Sequence, residues 1–145
     1  MGSRSAIITG TGRGVPARVV TNFDLEKLVD TSDAWITTRT GIRERRIAGK
    51  DEYMSQFATR AAQGALETAE VRADQVDLIL CATVTPDMPI PATACIVQHN
   101  LGATGAAAFD LAAGCSGFIY ALAVAERFVA SGDYRAVLVI GAELL

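Results

Sequence analysis

Cys115 has the type and setting of a nucleophile. It sits in Ala112-Ala113-Gly114-Cys115-Ser116-Gly117-Phe118, directly after the strand-like run Ala106-Ala107-Ala108-Phe109-Asp110 and directly before the apolar run Phe118 to Ala125. A thiol at such a strand-to-helix turn lies at the positive end of a helix dipole, among the free N–H groups of a first turn. Both effects favour thiolate over thiol, and the thiolate is the reactive form. Gly114 and Gly117 let the backbone turn tightly and leave the sulfur uncovered. The same strand–elbow–helix logic serves serine hydrolases with a different nucleophile. Spacing alone leaves a second reading open, a small buried cysteine that only packs.

The other chemistry-bearing residues divide into two groups. Trp35, the sole tryptophan, and Arg39 are one helical turn apart and therefore share a face. Core packing or an amphipathic surface ring is one reading of the pair, and a ligand site is the other, because the planar guanidinium fork suits phosphate. Cys81 and Cys95 fall in an apolar strand and a helix and read as inert packing. His99, the sole histidine, lies near a helix C-terminus, where a cation is compatible with the dipole; it is not taken as a site. Three cysteines without metal spacing predict no metal site and a reducing compartment.

The elements that must position these residues alternate in type. A strand is expected over 5–10, followed by a loop with Gly10, Gly12 and Gly14 whose spacing is not a dinucleotide fingerprint. Thr21 or Asn22 caps a short helix through Leu28, and Ser32 caps a second that Gly41 ends. Arg43, Arg45 and Arg46, interrupted by Glu44, read as a solvated loop. A helix follows over 53–70, then a buried strand over 76–83, a helix over 92–101 closed by Gly102, and a strand over 105–110. A helix over 116–131 closed by Gly132 and a strand over 136–140 complete the pattern. Such alternation predicts an α/β fold with a mostly parallel sheet. Phe118 to Ala125 is apolar on every face; a sheet covers only one side of such a helix, so something else is expected to cover the other.

Composition narrows the function classes. Half of the 145 residues are hydrophobic and 20% are charged, which describes a globular domain. A net charge of -3 argues against a nucleic-acid surface. No apolar segment approaches the roughly 18 residues of a membrane span, and no signal peptide is seen at the N-terminus. The chain stops on the apolar Leu144 and Leu145 just past the expected strand over 136–140, which predicts an N-terminal half, or a truncated or cleaved copy, of something longer.

Ala113-Gly114-Cys115-Ser116-Gly117-Phe118 after an apolar strand resembles the nucleophile site of β-ketoacyl-acyl carrier protein synthase III, a thiolase-fold condensing enzyme. Three further stretches agree: Thr9-Gly10-Thr11-Gly12 through Pro16; Thr31-Ser32-Asp33-Ala34-Trp35-Ile36 with Arg39-Thr40-Gly41-Ile42-Arg43-Glu44-Arg45; and Pro91-Ala92-Thr93-Ala94-Cys95 with Gln98 and Leu101-Gly102. The resemblance implies a thiolase-like layered fold. Residues 1–145 would be the N-terminal half of a duplicated α-β-α-β-α architecture, with the C-terminal half outside the chain. It implies Cys115 as the catalytic nucleophile, Trp35 and Thr31 on the adenine of coenzyme A, and Arg39 on its phosphate. Ile90 falls where the family reaches into the partner subunit's acyl pocket. The implied substrates are acyl-CoA and malonyl-acyl carrier protein, in a cytoplasmic homodimer, with no cofactor beyond the coenzyme A thioester, no nucleic acid and no membrane. The family's decarboxylating histidine and asparagine have no match in residues 1–145. Related acyltransferases of polyketide or quinolone-type metabolism, or an inactive fragment, are the other readings.

Overall fold

A computed structural model of the chain describes residues 5–145. Two compact units are present, one formed by residues 15–52 and the other by the rest of the described chain.

The larger unit is built on three parallel strands in the order β4-β3-β5: β3 (Leu78–Ala82), β4 (Ala107–Leu111) and β5 (Val137–Gly141). Every residue of β3 is buried. A central parallel strand is covered on both faces, which is why Leu78-Ile79-Leu80-Cys81-Ala82 is continuously apolar rather than alternating. The pleat then divides these residues between two cores. Ile79 and Cys81 pack with Met54 and Ala58 of α3 (Met54–Ala69) and with Ala94 and Val97 of α4 (Thr93–Leu101). Leu78, Leu80 and Ala82 pack with Ala121 and Ala125 of α5 (Gly117–Ser131). Helix α4 joins β3 to β4, and α5 carries the chain from β4 back past β3 to β5. Crossovers of one hand running in opposite directions across a sheet place their helices on opposite faces, as found. The result is a helix–sheet–helix α/β layering. Gly102 (φ 73°) and Gly132 (φ 89°) end α4 and α5 in the left-handed conformation, as expected.

The smaller unit pairs β1 (Arg18–Thr21) antiparallel with β2 (Glu44–Ile47) and carries α1 (Asn22–Leu25) and α2 (Asp33–Thr40). Thr21 and Asp24 form a reciprocal capping box on α1. The Ser32 hydroxyl accepts the Trp35 N–H at the start of α2, and Gly41 (φ 72°) ends it.

Three expectations change. Residues 5–10 form no strand, and Ile7 and Ile8 are 81% and 75% exposed; β3 already has a neighbour on each side. The glycines that follow lie against α3. A Cβ on Gly10, Gly12 or Gly14 would overlap the carbonyl oxygens of Ala65, Ala61 and Phe57 respectively. Two residues of extended chain advance ~6.6 Å and four helical residues ~6 Å, so alternate glycines meet successive turns. The Thr68 hydroxyl donates to the Thr11 carbonyl at 3.2 Å. The basic run is not a loop: Glu44, Arg45 and Arg46 lie in β2, whose partners are 23 to 29 residues earlier, from Thr21 opposite Glu44 to Arg18 opposite Ile47. Helix α1 stops at Leu25 rather than Leu28. Helix α5 has the sheet on one side only, as expected. Gly117, Ala121 and Ala125 are buried against the sheet, whereas Phe118, Ile119 and Tyr120 are 44%, 64% and 55% exposed. A single sheet covers one face of a helix only. Among the described residues no helix is long and apolar enough to cross a membrane.

Candidate active site

Cys115 lies in a 3₁₀ turn, Gly114–Ser116, that joins β4 to α5. Gly114 takes φ +52°, a left-handed conformation that an L side chain rarely adopts, and this turns the chain from the strand into the helix. The thiol is exposed, so the reading of a buried packing cysteine is excluded. Helix α5 begins two residues later at Gly117. A Cβ there would stand 3.2 Å from the Ala82 Cβ, so the absence of a side chain lets the helix N-terminus sit close on the end of β3.

The sulfur opens into a cleft of about 410 Å³ lined by Gly114, Cys115, Phe118, Ala82, Gly141 and Glu143. Ala82 and Gly141 are the last residues of β3 and β5. The cleft is therefore at the carboxyl ends of the parallel strands, where open α/β sheets place their ligands. Gly141 packs under the Phe118 ring; a Cβ on it would reach Phe118 Cδ2 at 2.9 Å. Small residues at both strand ends leave the space that the thiol faces.

Two acidic residues that the sequence reading passed over organise this end of the sheet. Glu143 accepts the Val84 N–H at 2.9 Å and the Thr83 hydroxyl at 3.3 Å, and it also accepts the Thr85 hydroxyl. It thereby ties the exit of β5 to the exit of β3. Asp110 accepts the N–H groups of Thr93 at 2.7 Å and Ala94 at 2.8 Å, capping α4 from β4. Both are single carboxylates beside apolar runs; their partners are 16 to 60 residues away in the chain. Only an expectation that first-turn N–H groups need acceptors would have pointed to Asp110.

Cys81 is fully buried between Asp110 of β4 and Ile140 of β5. Burial pushes its thiol up to about 12, and the nearby carboxylates of Asp110, Glu143 and Asp87 add to the effect. Cys95 is half-buried with its sulfur 3.6 Å from the Ala108 carbonyl. Ile90 stands 86% exposed in the loop between β3 and α4 and does not line the cleft. His99 is in the last turn of α4. Among the described residues no group of three or more His, Cys, Asp or Glu is placed to hold a metal ion.

The second grouping lies in the smaller unit. The Arg39 guanidinium stacks over the Trp35 ring, 4.5 Å from its centroid, and the indole is 53% exposed. Thr31, half-buried, directly precedes the Ser32 cap of the same helix. The structure thus brings Trp35 and Arg39 into contact at the surface of α2, next in sequence to Thr31.

Comparison with known proteins identifies the fold and its lineage. A family model described as 3-oxoacyl-[acyl-carrier-protein (ACP)] synthase III matches residues 109–145, the stretch that contains Cys115. The curated β-ketoacyl-[acyl-carrier-protein] synthase III of Caldanaerobacter subterraneus subsp. tengcongensis is 62% identical over 141 residues, covering 97% of this chain and 43% of the relative. Over nearly its whole length the chain is similar to β-ketoacyl-[acyl-carrier-protein] synthase III. It spans less than half the length of the curated synthase III relatives it matches. The crystal structure of the 3-oxoacyl-[acyl-carrier-protein] synthase III from Aquifex aeolicus superposes with a TM-score of 0.89 at 56% identity, covering 98% of this chain and 45% of that one. The priming β-ketosynthase of the R1128 polyketide pathway gives 0.87 at 39% identity, covering 92% and 40%. The architecture is therefore that of the N-terminal half of a thiolase-like synthase III.

Proposed function

We propose that residues 1–145 are the nucleophile-bearing half of a β-ketoacyl-acyl carrier protein synthase III that starts fatty-acid synthesis, with a C-terminal half supplying the remaining groups. The observation that carries this reading is the exposed Cys115 thiol on a turn into α5, opening on a cleft at the strand ends, in a chain 62% identical to a curated synthase III.

The Cys115 thiolate attacks the carbonyl carbon of acyl-CoA. The C–S bond to coenzyme A breaks, and coenzyme A leaves as its thiol with the proton that Cys115 had released. One thioester replaces another, so the acyl enzyme is accessible. Malonyl-acyl carrier protein then loses carbon dioxide. The electron pair left on its α-carbon attacks the acyl carbonyl, the bond to Cys115 sulfur breaks, and a β-ketoacyl-acyl carrier protein departs. The Cys115 N–H serves as one oxyanion donor. A histidine and an asparagine of the C-terminal half assist the decarboxylation. Arg39 and Trp35, with Thr31, receive the nucleotide end of coenzyme A. The reaction takes its substrates as thioesters and needs no further cofactor. The enzyme acts in the cytoplasm as a homodimer, with Ile90 entering the partner's acyl pocket; its 86% exposure supports that role.

Polyketide priming is the second reading, supported by the neighbour from the R1128 pathway. The higher identity of the curated synthase III relatives favours fatty-acid initiation.

Incubation with acetyl-CoA followed by peptide mass mapping tests the first step. An acetyl thioester at Cys115 that is lost in Cys115→Ala is expected. An adduct that persists in that variant, or that maps to Cys81 or Cys95, overturns the assignment.

A further inference from the structure

Asn22 is completely buried, and its side chain is the hub of the smaller unit. Its Nδ2 donates to Asp33 Oδ1 at 2.9 Å and to the Ile42 carbonyl at 2.8 Å, with Thr37 Oγ1 at 3.3 Å. Its Oδ1 accepts from the Arg45 guanidinium at 2.6 Å, and Arg45 also donates to the Val20 carbonyl at 3.0 Å. Asp33 is the first residue of α2, Thr37 lies one turn on, and Ile42 follows the Gly41 cap. One amide thus holds the entry, the middle and the exit of the helix, and Arg45 joins it to the β1–β2 ribbon.

Helix α2 needs such a hold. It has eight residues, too few to be stable alone, and none of them is buried. No apolar face anchors it, so the polar hub does. Asp33 and Thr37 form one stripe of the helix. Trp35 and Arg39 lie two residues on, rotated by about 200°, and form the opposite stripe. Asn22 therefore grips the back of the helix whose front carries the stacked indole and guanidinium.

We propose that Asn22 is a positioning residue that sets the place of α2 and hence of the Trp35–Arg39 pair; its effect on ligand binding rests on the coenzyme A reading of that pair. Asn22 does not touch the ligand. It acts by fixing where the ring and the guanidinium stand, which lowers the ordering cost of binding.

Trp35 is the only tryptophan, so its emission reports on α2 alone. Full-chain protein is compared with Asn22→Ser, Asn22→Asp and the exchange Asn22→Asp/Asp33→Asn. Asn22→Asp turns a carboxylate toward the Asp33 carboxylate and the Ile42 carbonyl. It is expected to red-shift Trp35 emission, to raise acrylamide quenching, and to weaken coenzyme A binding about tenfold, the worth of one to two hydrogen bonds. Asn22→Ser shows the same changes in smaller measure. The exchange restores a donor opposite an acceptor and recovers a large part of both signals. Native emission and native affinity in both single variants would overturn the proposal. So would an exchange variant as impaired as Asn22→Asp, since that marks a general loss of stability. If the parent chain does not bind coenzyme A, the ligand reading falls, while the emission series in the absence of ligand still decides the role of Asn22.

Discussion

The Asp110 carboxylate accepts the Thr93 N–H at 2.7 Å, and so β4, five residues before Cys115, caps the helix that precedes it in the chain. The strand that delivers the thiol and the helix that follows the Ile90 loop are joined at one carboxyl group. Ala92, at the N-cap position of α4, makes no side-chain cap hydrogen bond, so Asp110 takes that part from a distance.

Asp110→Ala leaves the Thr93 and Ala94 N–H groups without their acceptor. A loss of about 1–2 kcal/mol is expected in urea unfolding. Asp110→Asn keeps one carbonyl oxygen and loses less. Equal stability of all three proteins would refute the cap.

Gly12→Ala drives a Cβ into the Ala61 carbonyl and to 2.5 Å from the Ala65 nitrogen, and backbone cannot yield as a side-chain tip can. The cost is expected at or above the upper end of the about 1–3 kcal/mol seen for overpacking. Gly105→Ala, where nothing lies within 4 Å of the new Cβ, serves as the control and stays within about 0.5 kcal/mol. Thermal unfolding of the two variants side by side checks the contrast.

Alkylation by iodoacetamide at pH 7 is expected to label Cys115 and to spare Cys81, whose thiol is buried and held near 12. Peptide mapping over time gives the order. Labelling of Cys81 ahead of Cys115 would contradict the burial that the sheet imposes.

Asp24 is held down to about 2, first by the Thr21 hydroxyl, then by the Thr21 N–H and by Lys27. Its pKa is lower in the folded than in the unfolded chain, where it is about 3.9. The capping contribution is therefore complete above the unfolded value and is lost as pH falls from about 4 toward about 2. A carboxyl titration followed by NMR should place the Asp24 midpoint near 2. Thr21→Ala, which removes the hydroxyl donor, should raise it.

Arg39→Ala is expected to raise the KM for acyl-CoA several-fold with a smaller effect on kcat, since a contact remote from the reacting carbonyl contributes mainly uniform binding. The measurement uses the full-length synthase proposed above. A loss confined to kcat would exclude a phosphate contact.

Local features of this protein are determined by its sequence alone. The caps at Ser32, Gly41, Gly102 and Gly132, the buried strand at Leu78–Ala82, and the elbow at Gly114-Cys115-Ser116 depend on near neighbours in the chain, and residue type and period are enough to read them. The Trp35–Arg39 contact is of the same kind, because four residues on a helix make one turn. The tertiary structure decided what depends on distant partners. Glu44–Ile47 is a strand because Arg18–Thr21 lies beside it, and Arg45 is a structural ligand of Asn22 rather than a solvated charge. Gly10, Gly12 and Gly14 face turns of a helix some 50 residues later in the chain, so their purpose is invisible until α3 is in place. Glu143 and Asp110 are ordinary acidic residues until the sheet brings backbone and hydroxyl donors to them. Hydrogen-bond partners across a fold are chosen by topology, and a side chain's type states only what it can accept, not from whom.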